Sequence, residues 1–311
     1  MNIVFLDAKT VGNDLSLDIF NKFGNFVSYD TTRNEKEVIQ RVKHSDIIIT
    51  NKVVIDKNVI DNAKNLKLVC IAATGMNNIN LEYAKQKGIT VKNVTDYSTK
   101  SVAQHTFTLL FYLLGKTKFY DNLVKDKKWC ESEIFTNLDK PYWEISGKKW
   151  GIIGLGNIGK EVAKIAKCFG ANIIYYSTSG KNQDKNYKNV SLEELLKTSD
   201  IISIHAPLNK NTDNLIRKNE LSMMKEGAII LNLGRGGIIN ENDLAEILDK
   251  KDIYAGLDVC KKEPIEKNSP LLNIKNKDRL IITPHIAWAG LEARKILITK
   301  IAENIEQFLK E

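Results

Sequence analysis

Apolar residues along this chain gather in short continuous runs that alternate with segments whose apolar positions recur every three or four residues. The runs Ile3 to Leu6, Phe26 to Tyr29, Ile47 to Thr50 and Leu68 to Ala72 predict short parallel strands, and Leu15 to Phe23 and Glu35 to Val42 predict amphipathic helices between them. That alternation describes a small α/β domain. A long helix over about Ser98 to Leu114 follows, with apolar positions dense enough to predict burial between domains, and it carries the chain into a second α/β unit. Strands are predicted there at Trp150 to Ile153, Asn172 to Tyr176, Ile201 to His205, Ala228 to Leu233, Ile253 to Leu257 and Ile281 to Thr283. A final helix, roughly Glu292 to Leu309, is assigned to neither unit by pattern alone. The fold class is therefore α/β, with two Rossmann-like or flavodoxin-like doubly wound parallel-sheet domains. Ligands bind at the carboxyl ends of such strands, so a cleft between the domains is expected.

The most specific local signal is Gly154-Leu155-Gly156-Asn157-Ile158-Gly159, which directly follows one predicted strand and directly precedes a helix. Gly154 permits the sharp reversal, Gly156 lets a pyrophosphate approach the backbone, and Gly159 lets helix and strand pack closely. Open N–H groups and the dipole at the helix start attract the phosphate charge. The expected cofactor is a nicotinamide dinucleotide, NAD(H) or NADP(H). An acidic residue usually ends the second strand and grips the ribose. Here Tyr176-Ser177-Thr178-Ser179-Gly180-Lys181 holds no carboxylate before Asp184, so Ser177, Thr178 and Lys181 could accommodate a 2′-phosphate. No arginine lies nearby, and the choice between NAD(H) and NADP(H) stays open.

Three polar residues follow strand ends. Arg235, in Gly234-Arg235-Gly236-Gly237, offers a planar two-pronged donor in a chain that otherwise favours lysine, the geometry that holds a carboxylate. His285, in Thr283-Pro284-His285, can exchange a proton with an alcohol or carbonyl oxygen near neutral pH, and Glu263 is the candidate partner that orients it. His205, in His205-Ala206-Pro207, is read together with Thr212 as lining the cofactor cleft, whereas His44 and His105 read as a helix-end and a helix-packing residue.

At 311 residues, 43% hydrophobic and 27% charged, the chain has room for two ordinary globular cores. The net charge of +8 is spread over many lysines without a basic block, which points away from nucleic acid and toward a solvated surface. Cys70, Cys130, Cys168 and Cys260 form no C-x-x-C pair, so neither a disulfide nor a zinc site is expected. The opening apolar stretch is too short for a signal peptide and no run is long enough to span a bilayer, so a cytoplasmic protein is expected.

Taken together, these motifs resemble the D-isomer-specific 2-hydroxyacid dehydrogenases over nearly the whole chain. Ala73-Thr74-Gly75-Met76-Asn77-Asn78, Ser101-Val102-Ala103-Gln104-His105, the glycine turn, Asn232-Leu233-Gly234-Arg235-Gly236, Asp258-Val259 with Glu263-Pro264, and Pro284-His285 occur in the family's order. The Thr74 string is similar to that of glycerate dehydrogenases, also called hydroxypyruvate reductases. The resemblance implies that Arg235 binds substrate, that His285 is the acid and base paired to Glu263, and that Asp258 and the backbone near Leu233 and Gly234 contact the nicotinamide end. It implies that backbone N–H groups of Thr74, Gly75 and Met76 hold the substrate carboxylate. It also implies a substrate-binding domain of residues 1–97 plus 286–311, and a dinucleotide-binding domain of residues 98–285 with a dimerisation arm at 115–147. A homodimer is expected, with Trp129, Phe135, Tyr142 and Trp143 as arm residues or, alternatively, as plain core. Two other readings stand beside a 2-oxo acid reductase: an NAD(H)-sensing corepressor-like binding protein, and a formate or phosphite dehydrogenase of the same fold.

Overall fold

The computed structural model describes residues 1–181 and 183–311. Contacts divide the chain into one compact unit of Met1–Ser98 with Ala289–Glu311, and another of Thr99–Trp288.

In the first unit β1 (Asn2–Phe5), β2 (Asn25–Ser28), β3 (Ile47–Thr50), β4 (Leu68–Ile71) and β5 (Thr90–Lys92) form a parallel sheet in the order β2-β1-β3-β4-β5. The central strands β3 and β4 are buried along their whole length, which is why they read as unbroken apolar runs. Helices α1 (Glu35–Val42), α2 (Lys57–Asn62) and α3 (Leu81–Gln86) cross between strands. Each is started by a side chain, Asn34, Asp56 or Asn80, that accepts a backbone N–H of the first turn. The expected helix at Leu15 to Phe23 is instead a 3-10 segment, Asp18–Phe23, with only Phe20 buried. Ser16 Oγ donates to the Asp18 carboxylate and accepts the Asp18 N–H, local bonds that compete with an α-helical turn.

The second unit opens with α4 (Thr99–Leu114) and α5 (Thr117–Lys125). Its sheet comprises β6 (Lys149–Ile153), β7 (Asn172–Tyr176), β8 (Lys188–Asn189), β9 (Ile201–Ile204), β10 (Ile229–Asn232), β11 (Tyr254–Leu257) and β12 (Leu280–Ile282), in the order β12-β11-β10-β9-β6-β7-β8. Helices α6 (Asn157–Cys168), α7 (Leu192–Thr198), α8 (Lys218–Met223) and α9 (Glu241–Lys250) connect them. Every pairing is parallel and the order reverses between β6 and β9, as in a Rossmann sheet, placing a crevice at the carboxyl ends of those two strands. Side chains alternate between faces: Ile229 and Leu231 join the core under α4 and α6, and Ile230 joins the core on the other face. The buried positions of α4 belong to this unit's own core, around Trp150, and account for the apolar density that suggested burial between domains. Trp150 is fully buried, its indole donates to Ser203 Oγ at 2.9 Å, and its ring lies 5.2 Å from that of Phe107.

The chain then returns to the first unit as α10 (Leu291–Lys310), whose Leu297, Ile298, Ile301 and Ile305 are buried there. Two strands escaped the sequence pattern because they bury little: β5 is half-exposed throughout and β8 is a two-residue exposed edge.

Trp150→Ala should lower stability by about 3–5 kcal/mol through the cavity left and the unpaired Ser203 hydroxyl. A urea midpoint shift worth less than about 1 kcal/mol at unchanged slope would show that this core does not lean on the indole.

Candidate active site

The turn after β6 is fixed by close backbone approaches. Gly154 has φ +90°, and a Cβ there would lie 2.9 Å from Cα of Ala206, just past β9. A Cβ on Gly159 would overlap the Gly154 carbonyl, and one on Gly234 would lie 2.6 Å from the Ala206 carbonyl. Three loops at one sheet edge therefore interlock through glycine. Gly156, by contrast, has open space where its Cβ would stand, and it begins α6 without a side-chain cap. Space over the second glycine beside an uncapped helix start fits a dinucleotide pyrophosphate.

Past β7, Ser177 is buried and its hydroxyl has no partner among the described residues, while Thr178 is half-buried and Lys181 exposed. The first carboxylate, Asp184, is turned to Lys160 at 3.2 Å and accepts the Asn186 N–H, its largest cause of a lowered pKa. Thr212 is consumed by its own turn, donating to the Pro207 carbonyl at 2.6 Å and accepting the Asn209 N–H at 2.8 Å. Both ring nitrogens of His205 are buried and unpartnered among the described residues, and desolvation pushes its pKa down to about 3. The imidazole is thus neutral at physiological pH.

The three polar residues sit at the ends of β10, β11 and β12. Asn232, buried at the end of β10, donates to the Arg235 carbonyl at 2.9 Å and accepts the Gly234 N–H at 3.1 Å, stitching the arginine turn shut. A Cβ on Gly236 would overlap the Cys260 carbonyl, so only glycine lets this turn seat against the loop that carries Glu263. The Arg235 guanidinium is exposed, donates once to the Gly234 carbonyl at 2.8 Å and pairs with no carboxylate among the described residues. Glu263 is fixed at both oxygens: Oε1 accepts the Cys260 N–H at 3.0 Å and Oε2 lies 2.7 Å from Nδ1 of His285. With Nδ1 bound to a carboxylate, Nε2 is the nitrogen left for a substrate.

His285 has φ +54°, a left-handed backbone that costs a non-glycine residue energy unless its surroundings impose it. They do so through Asp258. Its backbone carbonyl accepts the His285 N–H at 2.8 Å, and its carboxylate, 1% exposed, accepts from Ile286 N at 3.0 Å, Ala287 N at 2.9 Å and Thr283 Oγ1 at 2.6 Å. The Thr283 proton being committed, His105 Nε2 donates to that hydroxyl across 2.9 Å. Burial lowers the His105 pKa against the opposing pull of Asp258. His105, read from sequence as a packing residue, is therefore a polar member of the loop's support, as is Ser101, which donates to the Ala287 carbonyl at 2.6 Å. In the sequence Asn232, Ser101 and Thr283 carry no role of their own and His105 only that of packing. Only Asn232, a turn-favouring residue between a strand and a glycine, gave a local signal.

In the first unit, Ala73 to Met76 follow β4, with Thr74 exposed and Gly75 and Met76 half-buried. Thr74 is anchored on both sides, donating to the Val94 carbonyl at 3.0 Å and accepting Asn93 Nδ2 at 2.7 Å. Buried Asp7 accepts Asn51 N at 2.9 Å and Lys52 N at 2.7 Å, and burial raises its pKa against those bonds.

Loops meeting at a topological switch point, open space over Gly156 at an uncapped helix start, a guanidinium with no carboxylate partner among the described residues and a carboxylate-held imidazole fit a dinucleotide-dependent oxidoreductase. Residues 107–287 match the family described as D-isomer specific 2-hydroxyacid dehydrogenase, NAD binding domain. The chain is 38% identical to a hydroxypyruvate reductase of Blautia hydrogenotrophica, covering 100% of this chain and 97% of that protein. Two solved structures superpose along the chain. An acyclic imino acid reductase in complex with NADPH and D-Arg is 32% identical at TM-score 0.85, with 100% and 97% covered. A D-lactate dehydrogenase from Aquifex aeolicus, complexed with NAD and lactic acid, is 26% identical at TM-score 0.83, with 100% and 96% covered. This chain belongs to the D-isomer-specific 2-hydroxyacid dehydrogenases, and its second unit is their NAD-binding domain.

Two outcomes follow from this geometry. Asp258→Ala strands two backbone N–H groups and a hydroxyl, each costing about 1–3 kcal/mol, so denaturant stability should fall by several kcal/mol. Thr283→Val should cost less, and equal losses would show that the carboxylate does not organise the loop. For His205, the folded pKa of about 3 lies below the unfolded value of 6.5, so its effect on stability is absent above pH 6.5 and appears as pH falls, when only the unfolded chain takes up the proton. Between those values the residue should cost about 1.4 kcal/mol per pH unit. A His205→Gln variant whose acid-unfolding profile parallels the parent's would contradict this.

Proposed function

We propose that the protein reduces hydroxypyruvate or glyoxylate to the corresponding hydroxy acid, using NADH or NADPH. One observation carries the reading: at the end of the Rossmann sheet, His285 is locked to Glu263 at 2.7 Å while the guanidinium of Arg235, on the adjoining turn, is left unpaired. Arg235 grips the substrate carboxylate bidentately. When bound, reduced nicotinamide supplies the hydride to C2. His285 Nε2 gives its proton to the forming alkoxide, and Glu263, at Nδ1, keeps the imidazole oriented for that transfer. Gly154, Gly156, Asn157, Ile158 and Gly159 hold the pyrophosphate, Ser177, Thr178 and Lys181 the adenosine end, and His205, Ala206, Pro207, Leu233, Gly234 and Asp258 line the nicotinamide end, while Thr212, fully buried and committed to its turn, only braces that loop.

The substrate follows the Blautia hydroxypyruvate reductase, similar to this chain over its full length. Use of NADPH is supported by the missing carboxylate after β7 and by the NADPH complex of the imino acid reductase. A homodimer is supported by Trp129, Ile134, Phe135, Leu138 and Tyr142, large apolar side chains exposed within the 115–147 segment, whereas Trp143 packs on the unit's own core. No helix among the described residues is long and apolar enough to cross a membrane, and a cytoplasmic location is part of the proposal.

The test is an absorbance assay of NADH and NADPH oxidation with hydroxypyruvate, glyoxylate and other short 2-oxo acids, run on the parent and on His285→Ala. The variant should lose about 10²–10⁴-fold in kcat with cofactor affinity within a few-fold of the parent's. Unchanged turnover in the variant would remove His285 from the chemistry. No oxidation by the parent with any of these acids would favour a cofactor-sensing protein, and formate or phosphite oxidation would place it with those dehydrogenases.

A further inference from the structure

At the amino ends of β11 and β12, the other end of the sheet from His285, a cavity of about 390 Å³ opens between the end of α4, the start of α5, the start of β11 and the turn before β12. Tyr112, Phe119 and Tyr254 give it aromatic walls. Lys116, Lys118, Lys140, Lys275, Lys277 and Arg279 face it, against one lining carboxylate, Asp278. Arg279 is already engaged, pairing with Asp252 at 3.1 Å and donating to the Leu248 and Lys251 carbonyls. None of the five lysines forms an ion pair with a carboxylate among the described residues. Some lysines elsewhere do pair with carboxylates, as in Lys125–Asp121, Lys218–Glu246 and Lys310–Glu306, but these five stand clustered in one concave space.

Five unpaired ammonium groups in one concave, aromatic-walled space repel one another, and low-dielectric walls concentrate their field. The most confined is Lys116. It sits on a left-handed backbone at φ +48° with Nζ 3.4 Å from the Tyr254 ring centroid. Its burial pushes its pKa down to about 8, with Asp252 and Asp278 opposing and Lys140 and Arg279 adding to the fall.

We propose that this cavity binds a small polyanion with two or more linked phosphate-type groups, at a site separate from the dinucleotide cradle. A multivalent anion satisfies several lysines together, the volume suits a di- or triphosphate, and lysine serves well as a point-charge partner for phosphate. The anion also restores the charged form of Lys116, so binding above pH 8 takes up a proton.

The experiment is calorimetric titration of the full-length protein, saturated with NAD, using tripolyphosphate, pyrophosphate, orthophosphate and citrate at constant ionic strength. One site per chain is expected, tightest for tripolyphosphate, with a heat at pH 8.5 that varies with the buffer's ionisation enthalpy as proton uptake requires. Lys116→Gln/Lys277→Glu should weaken tripolyphosphate roughly tenfold or more, whereas Lys36→Glu/Lys43→Glu, exposed lysines of the first unit, should change affinity less than about twofold. Retained NAD binding by both variants confirms that they are folded. Equal weakening by both pairs, many weak sites, or binding abolished by NAD would overturn the proposal. So would binding that sedimentation shows only after dimers dissociate, because a second copy would then fill the cavity.

Discussion

The buried carboxylate of Asp258 is the constraint on which the active-site edge depends. With three donors on its side chain and the His285 N–H on its carbonyl, it holds Thr283 and the three consecutive positions His285, Ile286 and Ala287, and keeps His285 in a conformation the residue would not choose alone. An uncompensated buried carboxylate would be costly, but this one is met by neutral donors at good geometry, so its desolvation is offset where order is needed. The same bonds define the direction in which the imidazole leaves the backbone, and hence whether Nδ1 can reach Glu263. Ser101 and His105 extend the support into α4, an element anchored deep in the Trp150 core. Hydrophobic packing is thereby connected, through three polar side chains, to the placement of one ring.

A second constraint acts through atoms that are missing. Gly154, Gly234 and Gly236 stand where any Cβ would collide with the backbone of Ala206 or Cys260, so the loops after β6, β9, β10 and β11 lock by direct main-chain contact. Main chain against main chain leaves fewer rotamers to reorganise than side-chain packing would. Gly156 differs in kind. Its missing Cβ leaves space rather than removing a clash, and that keeps the ground before α6 open, the room the proposed pyrophosphate would need.

The parts of this protein legible in its sequence are those whose cause is local. Fully buried strands such as β3 and β10 open on unbroken apolar runs, and the glycine turn needs its residues in a fixed order, so both stand out in one dimension. The pairing of Glu263 with His285 joins residues 22 apart and was reached from the chemistry an imidazole needs rather than from spacing. His105 was misread because its partner Thr283 is 178 positions away and a histidine on an apolar helix looks like packing. Short solvated strands such as β8 left no trace, since little burial selects their residues. Ser16 and Asp18 turned an amphipathic pattern into 3-10 geometry by local bonds that periodicity does not register.

Two kinds of side chain meet at this edge, and under the proposed function their opposite treatment follows from what each would do. A proton donor has to be aimed, because transfer efficiency falls steeply with misalignment, so His285 is fixed from Nδ1, from its backbone and from the following residues. A carboxylate receptor must instead stay free to be claimed. Among the six arginines of the chain, Arg41, Arg279 and Arg294 are tied to carboxylates, and Arg217 donates to the Asn214 carbonyl. Among the described residues Arg235 makes one side-chain bond, to the carbonyl next to it, while Asn232 and Gly236 immobilise the backbone beneath. A rigid base under an uncommitted fork keeps the guanidinium hydrated until an anion arrives and limits the ordering cost when it does. Carboxylate recognition can then be strong without a buried charge waiting for its partner.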